Sequence, residues 1–232
     1  YKNDLMLLDF MATNDWTRAV YFTSLSDIKN VLGIDKYLHQ EGLAHRFMPV
    51  LASDYHKDAG GVYVEGSYEL LMADDIRWGN LNLPEVSVDP ESRRNLLFVK
   101  QAYMRLADAL VNRNQNDSAI AVLDRCQEFF PDEKVPYDLY MMAYPEIYYR
   151  AGAMEKGDEL INKIIDNSTD NLRYFSELDD RFIPYYSESI RENLAIINEM
   201  SNVASKYKRT ELANSLNNLL EQEFDKFLSV FN

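Results

Sequence analysis

A helical pattern of apolar residues in the second part of the chain constrains its fold more than any other feature. Between Leu96 and Leu110, apolar side chains recur every three or four residues, which places them on one face of a helix. The polar stretch 112–116 then predicts a turn, and the pattern resumes up to Phe130 before Pro131 ends it. Because so short a turn leaves two helices side by side, the sequence predicts a helical hairpin here.

The order of small and large residues in this hairpin is typical of a tetratricopeptide (TPR) repeat. In such repeats of about 34 residues, small residues let two antiparallel helices approach closely and larger ones fill the space around them. Ala119 occupies the position of close approach. The packing positions around it are Tyr103, Leu106, Ala107, Leu110, Leu123 and Cys126. We therefore interpret the hairpin as TPR-like, with Cys126 as a small buried side chain rather than a nucleophile.

The same pattern recurs further along the chain, although less regularly. In the second copy Gly152 falls in the turn and Gly157 at the helix crossing, whereas Pro145 inside the first helix predicts a kink. A separate short helix is expected at 171–178. The predicted hairpins span about 93–131, 137–168 and 171–231. Stacked hairpins of this kind should bury one continuous core.

The first 89 residues have a different character. They hold six of the eight glycines, and glycine marks turns because it adopts backbone conformations that other residues avoid. The predicted elements are a helix at 4–12, strands at 19–23 and 43–51, helical turns at 26–32 and 35–39, a loop at 54–61 and a helix at 66–72. The predicted fold class is therefore mostly α, with a small mixed α/β region over residues 1–89 followed by a TPR-like helical array over residues 90–232.

The charge balance excludes several kinds of partner. The chain has 24 Lys and Arg against 38 Asp and Glu, a net charge of −14, so its surface repels the phosphates of nucleic acids and of anionic lipids. Its apolar runs are far shorter than the roughly 20 residues of a membrane-spanning helix. We expect no nucleic-acid partner and no segment of this chain that crosses a membrane.

No motif in the sequence predicts catalysis or cofactor binding. His39, His45 and His56 lack the four-residue spacing beside a Glu that a helical zinc site uses. Neither a glycine-rich phosphate loop nor a Gly-x-Ser-x-Gly elbow is present. We therefore expect no catalytic residue, no metal and no cofactor in this chain.

Tyrosines at or near helical spacing are the candidate ligand-binding residues. A groove lined by aromatic rings can hold a peptide or one face of a sugar. The candidates are Tyr137, Tyr140, Tyr149 and Tyr185. The alternative is that such rings pack in the core of the repeats.

Four polar or amphipathic residues lie beside apolar runs and are candidates for a docking surface. They are Arg18, Arg46, Arg77 and Trp78. The alternative for this set is structural pairing with buried charges, in which case the residues stabilise the fold and contact no partner.

Several segments together resemble a known family. They are residues 4–9, 12–22, 35–38, 41–49, 77–80 and 121–126, the last reading Ala-Val-Leu-Asp-Arg-Cys. They resemble the soluble C-terminal region of a bacterial family of large multi-span membrane proteins, a family of unknown function that is similar to transmembrane protein O-mannosyltransferases. The resemblance implies a glycosyltransferase that uses a lipid-phosphate sugar, with its catalytic carboxylates in a membrane half outside this chain and this region on the periplasmic face.

Three functions follow as hypotheses. In the first, the chain is a non-catalytic TPR-like module that presents acceptor proteins or peptides to the membrane active site, with its own membrane-spanning domain as a partner. In the second, it is a structural cap on that domain, which predicts exposed apolar side chains within residues 1–50. In the third, it is a free-standing TPR adaptor that binds a peptide or a glycan.

Overall fold

The computed structural model describes residues 2–23, 33–52, 60–179 and 181–228, and most of them are helical. The helices are α1 (Lys2–Asn14), α2 (Val64–Leu71), α3 (Pro90–Asn112), α4 (Asn116–Phe129), α5 (Ala143–Arg150), α6 (Met154–Ser176), α7 (Ser187–Lys206) and α8 (Thr210–Lys226). Short 3₁₀ turns span Asp35–Tyr37, Leu139–Met141 and Ile183–Tyr186. No helix within these described ranges is both long and apolar enough to cross a bilayer.

A small four-stranded sheet lies in the N-terminal region. Its strands are β1 (Tyr21–Phe22), β2 (Leu38–Glu41), β3 (Ala44–Phe47) and β4 (Gly61–Val62), in the order β1-β3-β2-β4. Strands β2 and β3 form an antiparallel hairpin that places Leu38 opposite Phe47, whereas β4 runs parallel to β2. Gly42 begins the hairpin turn with a φ of +63°, a conformation that glycine adopts without steric penalty.

The sheet agrees in part with the sequence. The predicted pairing of strands near 19–23 and 43–51 is confirmed as β1 with β3, although both strands are shorter. The helical turn predicted at 35–39 ends at Tyr37, and the chain continues as β2, which the sequence pattern did not predict. The helical turn predicted at 26–32 lies outside the described residues, as do residues 54–59 of the predicted loop, His56 included.

The second part of the chain is a series of packed helices. Helix α3 packs along α4, α5 along α6, α6 along α7, and α7 along α8. Asp89 caps α3 by accepting hydrogen bonds from the backbone N–H groups of Glu91 and Ser92, and Pro90 occupies the first helical turn. The resulting core runs through these helices without interruption and includes Leu106, Leu123, Tyr144, Ile161, Ile197 and Leu216.

Two expectations about this part were wrong. Pro145 does not kink a long helix: α5 begins at Ala143, so Pro145 lies in its first turn, where a missing N–H leaves no helical hydrogen bond unmade. The stretch 171–178 is not a separate helix, because α6 continues without a break to Ser176. Leu172 and Phe175 are buried on the same face as the earlier apolar residues of α6, which favours continuation.

The N-terminal region is attached to the array through α3. The Gln40 side chain donates a hydrogen bond from Nε2 to the Ala102 carbonyl at 2.9 Å, and the Tyr103 hydroxyl donates to the Leu71 carbonyl at the same distance. Arg105 donates to the carbonyls of Gly60 and Gly61 at 3.2 and 3.1 Å. These bonds satisfy backbone acceptors at the junction of the two regions.

Candidate functional site

A cleft of about 230 Å³ lies between α6 and α7. Five of the residues that line it are buried: Tyr137, Ser168, Phe175, Asn193 and Ile196. The others are Asp138, Asn167, Asn171, Ser189 and Glu192. Ligand sites in proteins are concave and carry a few polar groups in fixed positions, and this cleft has both features.

The wall beside α6 is formed by the segment that precedes the Leu139–Met141 turn. Asp132 holds this segment by accepting hydrogen bonds at one oxygen from the Tyr137 backbone N–H at 2.6 Å and from the Asn167 side chain at 2.7 Å. Asn167 also donates to the Tyr137 carbonyl at 3.1 Å. The backbone of Tyr137 is therefore held by Asp132 and by Asn167 of α6.

A buried lysine supports the same segment from α3. Lys100 is fully buried and donates from Nζ to the Val135 carbonyl at 2.7 Å, and its ammonium lies 4.4 Å from the centroid of the Tyr137 ring. Burial lowers the pKa of Lys100 to about 8, since desolvation disfavours the charged form. The carbonyl and the ring face offset part of that loss.

The opposite wall belongs to α7. Asn193 donates from its side-chain amide to the Ser189 carbonyl at 2.7 Å and accepts a hydrogen bond from the Asn171 side chain of α6 at 3.2 Å. The two helices are thus joined across the cleft by paired amides. This hydrogen bond helps to fix the distance between α6 and α7 and places polar groups in the cleft between them.

The charge in the cleft is negative. Asp138 and Glu192 contribute carboxyl groups, and none of the described lining residues is Lys, Arg or His. Burial raises the pKa of Asp138, while a backbone hydrogen bond from Tyr140 and the charge of Lys100 act in the opposite direction. The cleft is therefore suited to a ligand that brings hydrogen-bond donors or positive charge.

Aromatic rings continue the cleft at one end. The Phe175 ring lies 5.6 Å from that of Tyr174 and 5.1 Å from that of Tyr186, between ring centroids. Tyr185, on the same 3₁₀ turn as Tyr186, is 83% exposed. This group of rings offers an apolar contact surface beside the polar cleft.

The four predicted tyrosines do not form one groove. Tyr137 lines the cleft, and Tyr140 is exposed on the adjoining 3₁₀ turn. Tyr149 is only 2% exposed, donates its hydroxyl hydrogen to Asp158 at 2.6 Å and packs 5.1 Å from the Tyr207 ring, so it has a packing role where α5 meets α6.

The four predicted docking residues are also dispersed. Arg46 forms an ion pair with Glu41 at 3.3 Å within the sheet. Trp78 packs against the rings of Tyr103 and Phe130. Arg18 and Arg77 are exposed. Arg46 therefore has a structural ion pair and Trp78 packs against the core, whereas Arg18 and Arg77 are available to a partner.

The asparagines of the cleft are not among the residues predicted from the sequence. One signal was present: Asn167 and Asn171 are four residues apart and therefore share a face of a helix. That face also carries apolar residues of the core, which makes amides on it unusual. Asn193 lines the cleft only because α7 packs against α6, so the residues next to it in the sequence do not predict its role.

Cys126 does not provide a nucleophile. It is fully buried between helices, its sulfur lies 3.2 Å from the Tyr144 hydroxyl, and burial raises the pKa of its thiol to about 12. The thiol is therefore protonated near neutral pH and packs as a small apolar group.

A second surface of interest is the exposed side of α1. Leu5, Met6, Leu8 and Phe10 are all exposed, and Trp16 after the helix is exposed as well. Leu5 neighbours Leu8 and Met6 neighbours Phe10 on the helix surface, and exposed apolar groups of this kind can mark a site of interaction. This is the kind of exposure that the structural-cap hypothesis predicts.

Comparison with protein families gives a match in the N-terminal region. Residues 1–65 match the family model described as TMEM260-associated domain 2, which covers α1, the sheet and the start of α2. The match covers 65 of the 232 residues and therefore concerns the N-terminal region alone. No curated protein and no solved structure matches the chain.

Proposed function

We propose that this chain is a non-catalytic binding module of a multi-span membrane protein of the glycosyltransferase type. Its helices form a TPR-like array on the periplasmic face, and the array presents acceptor proteins to an active site outside this chain. The observation that carries the proposal is the cleft between α6 and α7, with its fixed amides and adjoining aromatic rings.

An extended protein segment suits this cleft for a physical reason. A peptide backbone carries alternating donors and acceptors, and side-chain amides match both. The rings of Phe175, Tyr174 and Tyr186 add a surface for the apolar part of the same segment. The family match over residues 1–65 points to a TMEM260-like family, which relates loosely to membrane O-mannosyltransferase-like proteins, and it supports the link to a membrane glycosyltransferase in this way. The match lies outside the cleft, so the two observations are independent.

The second candidate is a structural cap on the membrane domain, and the exposed apolar side of α1 favours it. Four large side chains, Leu5, Met6, Leu8 and Phe10, lack the burial that stabilises such residues elsewhere in the chain. The two candidates are compatible, because the apolar side of α1 and the cleft are formed by different elements.

The test compares two variants of the full-length protein in cells. Glu192→Lys places a positive charge in the cleft, and Glu199→Lys makes the same change at an exposed position of α7 that does not line it. We expect Glu192→Lys to reduce glycosylation of acceptor proteins by about tenfold while the amount of membrane protein is unchanged. Glu199→Lys should leave both unchanged.

Two other results separate the candidates. The structural cap would be favoured by two results together. The double variant Leu5→Ser with Met6→Ser lowers the amount of membrane protein, and Glu192→Lys has no effect on glycosylation. Equal glycosylation in the wild type and in Glu192→Lys would overturn the binding role of the cleft.

A further inference from the structure

The hydrogen bonds within the cleft leave the oxygens of two asparagine side chains available to a ligand. The Asn167 amide nitrogen donates to the Asp132 carboxylate and to the Tyr137 carbonyl, and both of these groups can only accept. The orientation of the amide is therefore fixed by chemistry. Its oxygen accepts no hydrogen bond from the described part of the chain.

The same reasoning fixes the second amide pair. Asn193 donates to the Ser189 carbonyl, so its oxygen must be the atom that faces Asn171. Asn171 must then present its nitrogen to Asn193, which leaves the Asn171 oxygen available. Two amide oxygens on neighbouring turns of α6 are thus offered as acceptors.

One hydroxyl group in the cleft lacks a protein partner. Ser168 is 2% exposed and lines the cleft, and its hydroxyl makes no hydrogen bond with any residue that the structure describes. The hydroxyl is not fully enclosed, so it is reached from the cleft, where a ligand atom can serve as its partner.

The charges define what that ligand carries. Asp138 uses one carboxylate oxygen to accept the Tyr140 N–H at 3.0 Å, and Glu192 forms no ion pair with the described residues. Lys100 lies nearby but directs its ammonium at the Val135 carbonyl. Neither carboxyl group forms an ion pair with the described residues, although the charge of Lys100 acts on Asp138. The ring of Phe175 can contact a cation through its face.

We propose that the cleft binds the basic side chain, arginine or lysine, of an extended protein segment. This inference rests on the proposed function and specifies the recognised group. A guanidinium or ammonium supplies several donors to the two asparagine oxygens and pairs with Glu192. An anionic ligand such as a phosphate-linked sugar would be repelled by the carboxyl groups of Asp138 and Glu192.

The test measures binding of short blocked Gly/Ser peptides to the purified chain. The central residue of the peptide is Arg, Lys, Gln or Glu, and binding is followed by fluorescence anisotropy. We expect the Arg and Lys peptides to bind at least about tenfold more tightly than the Gln peptide, and the Glu peptide to bind most weakly. Added salt should reduce this preference.

Variants locate the binding in the cleft. Glu192→Gln and Asn171→Leu should each weaken binding of the Arg peptide by about tenfold, whereas the matched control Glu199→Gln should not change it. Both altered positions are exposed, so folding should be retained. Ser168→Ala removes the hydroxyl that is reached from the cleft and should weaken the same binding to a smaller extent.

Three results would overturn the inference: equal binding of the Arg and Gln peptides, no effect of Glu192→Gln, or tighter binding of a divalent cation that displaces the Arg peptide. The proposed function has a separate readout, which is glycosylation of acceptors by the Glu192→Lys protein. Reduced glycosylation by the Glu192→Lys protein, together with equal binding of the Arg and Gln peptides, would support the presenting role. It would overturn only the proposal that the cleft recognises a basic side chain.

Discussion

The N-terminal region and the helical array differ in how completely they bury their apolar side chains. In the array, one core extends from α3 to α8 and includes fully buried tyrosines. In the N-terminal region, Val62, Val64 and Leu71 join this core, whereas Ile34 and Leu38 form a small separate one and α1 exposes several large apolar residues. The array therefore has its own source of stability, whereas the N-terminal region presents a surface that another structure can cover.

The difference follows from the elements themselves. Strands β1 and β4 have two residues each, and so short a sheet covers little apolar surface. The long helices α3, α6 and α7 each bury a face against neighbours on both sides. The family match falls on the region with the exposed surface, and the cleft belongs to the region with the complete core.

The sharpest test of this contrast is a pair of leucine truncations. Leu106→Ala removes a fully buried side chain and should lower the free energy of unfolding by about 2–5 kcal/mol. Leu8→Ala in α1 should lower it by less than about 0.5 kcal/mol. Urea denaturation measures both, and similar losses would show that α1 shares the core.

The pH dependence of stability tests whether the buried Lys100 destabilises the helical array. Its pKa is lowered from 10.5 to about 8, so at pH values between these the unfolded chain binds a proton that the folded chain has released. Folding stability should therefore rise with pH in this interval, by about 3 kcal/mol relative to Lys100→Met. Titrations of groups that do not contact Lys100 are common to both proteins and cancel in the difference. A parallel pH profile for the two proteins would contradict this expectation.

Gly157 tests how closely α5 and α6 approach. An added Cβ would lie 2.6 Å from Cδ1 of Tyr149, whose hydroxyl is held by Asp158. Gly157→Ala should cost about 1–3 kcal/mol of stability. Tyr149→Leu relieves the clash, so the double variant should lose less than the two single variants added together. Additive losses would mean that the helices separate instead.

The smallest effect on stability is expected at the surface of α1. Leu5→Ser with Met6→Ser should change the free energy of unfolding by less than about 0.5 kcal/mol and should reduce binding of a hydrophobic dye. Phe98→Ser is the matched control, because Phe98 is as exposed as Leu5, at 68%, but lies on α3 of the array. Equal loss of dye binding in both proteins would show that α1 is not a special surface.

Most of the helices could be predicted because the apolar residues of a helix recur every three or four positions along the chain. The hairpin of α3 and α4 followed from the spacing of Leu96 to Leu110 and from Pro131. Strand β2 was missed, since its four residues lack an alternating pattern and depend on β3 and β4 for their hydrogen bonds. Short strands of this kind are set by their neighbours.

The site was harder to predict than the helices. Tyr137 and Tyr149 look alike in the sequence, yet one lines the cleft and the other packs beneath Tyr207. The asparagines that give the cleft its polarity come from α6 and α7, and their pairing needs both helices in place. The spacing of residues along the chain does not show which side chains of α6 and α7 come into contact.

The sequence by itself determined the negative charge, the turns and the helical faces, because each depends on residues that are close along the chain. Only the tertiary structure decided which polar atoms remain available to a ligand. Asn167 and Asn171 offer their oxygens because Asp132, the Tyr137 carbonyl and Asn193 occupy their nitrogens. Hydrogen-bond orientation is a property of the partners that folding brings together.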